Sequence, residues 1–250
     1  MKLINLSPWM IATFNILKKD MKTYYLKPPN ISWGLIFPFA WTLMFFLRSQ
    51  TPMQIQDVLP GVIAMSVLFG TTSMLAVTIT FERRQRSFER LLLAPISLNA
   101  LMLAKTSGAI LFGVFNAFIP VIFASFLVDL SGVGWLSLSA GIVLIAITST
   151  FLGLLIAVSV KEVFEAQTFS NFFRFPMIFL CGLFIPLAEL PLALRPISYI
   201  LPLTYGADIL KWSINDGGYL PVSLSFALLA AFSVALFVLS TYNIKTKWIH

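Results

Sequence analysis

Six stretches of this chain are apolar for long enough to cross a hydrocarbon layer: about 31–48, 58–81, 106–128, 134–160, 168–187 and 220–241. A membrane core of ~30 Å requires roughly 20 apolar residues in helical form. Inside that core each backbone N–H and C=O must be satisfied within the segment, so runs of this kind fold as helices. The first run is short and holds Pro38, and the fourth is long enough to tilt. Only 11% of the residues are charged, against about 25% in a soluble domain. Too little polar surface exists to cover a water-soluble core. The composition therefore predicts an all-α integral membrane fold with six transmembrane helices.

Lysine and arginine placement sets the expected orientation, because cytoplasmic loops carry the excess. Lys2, Lys18, Lys19, Lys22 and Lys27 precede the first run, and Arg83, Arg84, Arg86, Arg90 and Lys105 lie between the second and third. Lys161, Lys245 and Lys247 bring that side to thirteen, against Arg48, Arg195 and Lys211 on the other. Both termini are expected in the cytoplasm of a multi-pass cell-membrane protein. The net charge of +7 is thereby spent on flanking spans, so no nucleic-acid partner is expected. Residues 1–30 lack the uninterrupted apolar core and cleavage site of a signal peptide. They instead carry a stripe of Met10, Phe14, Leu17, Met21 and Tyr24 opposite Asn15, Lys18, Lys19 and Lys22. Such a helix suits the interface plane of a lipid bilayer, the plainer alternative being a solvated helix packed on its own bundle.

Residues 82–90 hold six of the 27 charges. Glu82 with Arg86, and Arg86 with Glu89, are spaced to pair on one helix. Phe88, Leu91 and Leu92 give that helix an apolar side. Pro95 ends it, and Ser97 is placed to cap the next helix. A loop that only fixes topology and a docking element for a soluble partner both fit this pattern. On the far side, Pro176, Pro186, Pro191, Pro196 and Pro202 break a strongly apolar region into pieces. Short re-entrant helices are expected over 188–216, with Tyr199, Tyr205, Trp212 and Tyr219 as an aromatic belt. Glu189, Asp208 and Asp216 are read as solvated edges, and Arg174, inside the fifth run, as snorkelling to the cytoplasmic surface or pairing with Glu165.

Two motifs carry a resemblance. Phe175, Pro176, Phe179, Leu180, Gly182, Phe184, Pro186, Leu187, Leu190 and Pro191 form the first half of one, and Ile197, Ser198, Tyr199, Leu201, Pro202, Leu203, Thr204 and Tyr205 the second. This pattern resembles the C-terminal signature of the ATP-binding-cassette (ABC) type-2 transporter permeases. The run Phe81–Ser97 is similar to the cytoplasmic segment between the second and third spans of that family. The resemblance implies a single permease domain over 1–250, with an interfacial helix in 1–30, a coupling segment at 82–97 and the external region at 188–216. It implies a homodimer or paired permease driven by two copies of a separate ABC ATP-binding subunit. Carried over, Glu82, Arg83, Arg86, Glu89, Arg90 and Leu91 would contact the ATPase, with Pro95 shaping the exit. Phe175, Pro176, Gly182, Pro186, Pro191, Tyr199, Pro202 and Tyr205 would form the external gate. Many members have Gly-Thr before the second glutamate; here Ser87-Phe88 makes the segment bulkier.

No G-x-x-x-x-G-K-S/T loop occurs, so ATP is expected in the partner and no cofactor in this chain. An ion-coupled secondary transporter would place ionisable residues along its spans, where only Arg174 lies. An intramembrane lipid-modifying enzyme would need an acid/base cluster, but the only histidine is His250 and the only cysteine Cys181. The substrate expected for a member of this family is a lipophilic drug-like compound or a (lipo)polysaccharide.

Overall fold

The computed structural model describes residues 8–48, 54–93 and 96–248. Pro95, expected to end the charged helix, lies outside them. Among the described residues every regular element is helical. The chain starts with α1 (Pro8–Asp20), continues through a wider π-helical turn at Met21–Tyr25, and enters α2 (Pro28–Ile31). A second π-helical turn, Ser32–Ile36, leads into α3 (Phe37–Arg48). Its position has a local cause: Pro38 lacks an N–H and crowds the carbonyl one turn back, and a widened turn relieves both.

Then come α4 (Ile55–Arg84), α5 (Ser87–Leu92), α6 (Leu98–Ser125), α7 (Trp135–Ser159) and α8 (Val163–Leu180). A 3-10 turn at Leu187–Glu189, α9 (Arg195–Ile200), α10 (Pro202–Asn215) and α11 (Val222–Trp248) complete the chain. Among the described residues four helices, α4, α6, α7 and α11, are long and apolar enough to cross a membrane. The expected first and fifth spans fall on shorter helices, α3 and α8. Ser97 caps α6 as its sequence predicts, accepting from the Ala100 N–H at 3.3 Å.

Helix α4 is the pillar of the bundle. It packs against α6, α7, α8 and α10 and is buried along nearly its whole apolar length. Small residues let its neighbours approach, as helix packing in lipid requires. A Cβ on Gly153 of α7 would sit 2.3 Å from the Thr72 carbonyl oxygen, and one on Gly113 of α6 would sit 2.2 Å from Thr71 Cγ2. By contrast α11 turns most of its surface outward.

Helix α1 packs on α6 through Ile16 and Asp20, while Met10 and Phe14 stay exposed. The lysine-flanked stripe is thus half of the picture, since the face beside it is buried against the bundle. Two expectations at the other end are corrected. Asp208 is not a solvated edge but 3% exposed, accepting from the Tyr219 N–H (2.6 Å), the Leu220 N–H (3.4 Å) and the Ser225 hydroxyl (2.6 Å). Tyr205 is buried rather than in a belt, and its hydroxyl donates to the Tyr199 carbonyl at 2.7 Å.

Candidate functional site

The charged run does not form one helix. Its first three residues are the last of α4, and the chain then reverses at Arg86, whose φ of 57° is left-handed. The reversal separates Glu82 from Arg86, so their expected pairing does not form. The Ser87 hydroxyl donates to the Glu82 carbonyl at 3.0 Å, closing the end of α4. Phe88 is buried edge-to-face on Trp248 with ring centroids 5.2 Å apart, and the Arg83 guanidinium lies 4.5 Å over the same indole. Arg83 also donates to the Val160 carbonyl at 3.3 Å, and Arg84 pairs with Glu162 at 2.7 Å. Ser87 and Phe88 therefore face the bundle, and their bulk is absorbed inside.

Glu82 corrects a second expectation. It is 0% exposed, so its side chain is unavailable to a docking partner. It joins a charged quartet instead, in which Asp20 and Lys105 are also buried and Lys19 stays exposed. Lys105 bridges Asp20 (2.7 Å) and Glu82 (2.6 Å), and Lys19 bridges Glu82 (2.5 Å) and Asp20 (3.4 Å). Burial pushes the Asp20 carboxyl above its ordinary value, against the pull of the Lys105 ammonium. Two acids and two bases balance, so α1, α4 and α6 are tied at one point. Charge counting along the chain assigns Lys105 to topology and Lys19 to topology and the polar face of the first helix, and gives Asp20 no role. Asp20 is the sole acid among the first thirty residues, and that isolation was the available signal.

Arg86, Glu89, Arg90 and Leu93 remain on the outer surface, Leu93 at 85% exposure, and Leu91 is half-buried. Beside them Arg83, Phe88, Glu89, Leu92, Lys247 and Trp248 border a cleft of about 190 Å³. An outward-facing patch of mixed charge with an apolar tip is a surface that a soluble protein can grip.

A larger cavity of about 480 Å³ lies between α4 and α8. Trp33, Phe69, Met74, Val77 and Phe175 supply its apolar wall; Ser73, Gln167, Asn171 and Arg174 supply its polar groups. Arg174 neither snorkels nor pairs with Glu165. It is 2% exposed and lies 4.3 Å over the Phe69 ring, while Glu165 accepts the backbone N–H groups of Lys161 (2.9 Å) and Glu162 (3.2 Å). Gln167, Asn171 and Arg174, spaced four and three apart, form a polar stripe on α8 that helical periodicity could have found.

The proline-rich motif builds the end of the bundle opposite the quartet. Pro176 lies within α8, and Gly182 adopts a φ of +74° just after it. The Gly182 carbonyl accepts from Lys211. Pro186 precedes the 3-10 turn, whose Leu187 N–H donates to the Tyr219 hydroxyl at 3.1 Å. Pro191 is exposed in the following turn, where Arg195 donates to the Leu190 (3.0 Å) and Ala188 (2.6 Å) carbonyls. Pro202 starts α10, and Tyr199 stays exposed above Tyr205. Of this motif only Phe175 reaches the large cavity.

A family model described as ABC-2 type transporter matches residues 12–215. The chain is similar to the inner membrane transport permease YadH of Escherichia coli K12, at 25% identity over 184 residues, covering 74% of this chain and 72% of that protein. Nodulation protein J of Rhizobium meliloti is 26% identical over 193 residues, 75% of this chain and 72% of the relative. The "Probable multidrug ABC transporter permease YbhR" of E. coli K12 is 26% identical over 157 residues, 62% of this chain and 42% of the relative.

Proposed function

The chain belongs to the ABC-2 type transporter family, and on that premise we propose that it is the membrane permease of an ABC exporter, driven by a separate ATP-binding subunit. The observation that carries the reading is the pinned element α5, whose inner face is fixed by Phe88 and Trp248 while Arg86, Glu89, Arg90 and Leu93 face outward. A joint that transmits force must be stiff behind and open in front. The charged quartet ties the base of α4 to α1 and α6, so a push on α5 reaches the helix that contacts most of the bundle.

In this reading ATP is bound by the partner, two copies of which serve a homodimer or paired permease. The exposed face of α8, with Phe164, Phe172 and Phe175, supports a second copy beside the large cavity. The thirteen-to-three distribution of flanking basic residues supports cytoplasmic termini and a cytoplasmic α5, and the name of YadH supports an inner-membrane location. Cargo is a lipophilic drug-like compound or a (lipo)polysaccharide, the former in keeping with the name of YbhR and with an aromatic, partly polar cavity.

Co-purification with a co-expressed ABC ATP-binding subunit tests the joint. Arg86→Glu with Glu89→Lys and Arg90→Glu should lose the subunit while membrane insertion stays normal. Intact complex and transport in that triple variant would remove α5 as the docking element.

A further inference from the structure

Arg174 is a buried cation with no counter-ion among the described residues. Its Nε and Nη2 atoms are buried and have no hydrogen-bond partner among the described residues. An ionised side chain buried among apolar groups is costly unless it is paired. Residues of this kind persist where a ligand or pathway uses them. The Phe69 ring supports one face of the guanidinium, and its edge is left with two donors of the fork that matches a carboxylate or phosphate. Ser73, Gln167 and Asn171 line the same space, and none of them supplies a negative charge. At about 480 Å³ the cavity lies in the range of small-molecule sites, ~300–1,000 Å³.

We propose that this cavity binds an anionic amphiphile, with a phosphate or carboxylate on Arg174 and an apolar chain along Trp33, Phe69 and Phe175. The inference deepens the export reading, on which it rests, by naming the charge and polarity of the cargo. A free inorganic anion would satisfy the guanidinium but leave the aromatic wall unused. A neutral lipid would fill the wall but leave the guanidinium unpaired.

Binding to the purified protein in nanodiscs separates these cases, using tryptophan quenching by brominated probes with Trp33 as the reporter in the cavity. Brominated hexadecyl phosphate should bind at least about tenfold more tightly than brominated hexadecanol, the equivalent of one charge-assisted hydrogen bond. Inorganic phosphate should not displace it. Arg174→Gln should erase the preference. So should Asn171→Asp, a near-isosteric change one helical turn away that offers the guanidinium an internal carboxylate and keeps the test alive if Arg174→Gln does not fold. Equal affinity for phosphate and alcohol, or a preference surviving in Asn171→Asp, would overturn the proposal. So would displacement by inorganic phosphate, which marks a plain anion site. A dimer that dissociates in Arg174→Gln with the phosphate preference intact would also overturn it, assigning the guanidinium to a second copy. Co-purification of the ATP-binding subunit is read separately, so failure here leaves the export reading standing.

Discussion

At the scale of single residues, the same charge does opposite work depending on where its side chain points. Glu82 and Glu89 are seven apart, yet one is sealed between two lysines and the other lies on the surface. Reversing Glu82 would therefore place a cation among Lys19 and Lys105 and report on folding, not docking. The quartet makes its own prediction. Lys105→Met leaves two buried carboxylates to Lys19 alone and should destabilise by about 3–5 kcal/mol, the usual penalty for orphaning a buried charge. Adding Asp20→Asn restores the balance and should recover most of the loss. Thermal unfolding of the purified protein compares the two; equal melting temperatures for wild type and Lys105→Met would show that the quartet does not hold the helices. Which acids are buried was illegible in the sequence, because Asp20 and Lys105 are 85 residues apart and meet only in the fold.

Among the elements, four of the six expected spans coincide with helices long and apolar enough to cross a membrane, and the interruptions between them are less legible. Apolar runs predict helices because backbone satisfaction leaves no other structure, and α4, α6, α7 and α11 follow the runs closely. The break at Arg86 has no such signal: Glu82 to Leu92 reads as one helix, and the turn is selected by Phe88 reaching Trp248, a contact made with the far end of the chain. Close approach between α4 and α7 gives a prediction at this scale. Gly153→Ala sets a methyl group against the backbone oxygen of Thr72, which cannot rotate away, and should cost about 1–3 kcal/mol. Gly132→Ala meets nothing within 4 Å and should stay within about 0.5 kcal/mol. Melting temperatures check both, and equal shifts for the two would contradict the crossing.

For the whole molecule, the inside-outside assignment is the question that labelling answers most directly. Cys181, the one native cysteine, is buried, so an introduced thiol reports alone. Asp216→Cys should react with an impermeant thiol reagent added outside intact cells, and Arg86→Cys only after the membrane is opened; the reverse pattern would invert the topology. The sequence by itself determined the class of fold, the family and the positions of the long apolar helices, because hydropathy and short motifs act along the chain. It also held the polar stripe of Gln167, Asn171 and Arg174, which is a matter of helical period. Tertiary structure alone decided that Arg174 stands over Phe69 with no counter-ion among the described residues, that Glu82 is buried against Lys19 and Lys105, and that Ser87-Phe88 turns inward. Each of these depends on which distant helix lies opposite, and pairings between helices are fixed by packing and charge balance in three dimensions, where residues far apart in sequence become neighbours.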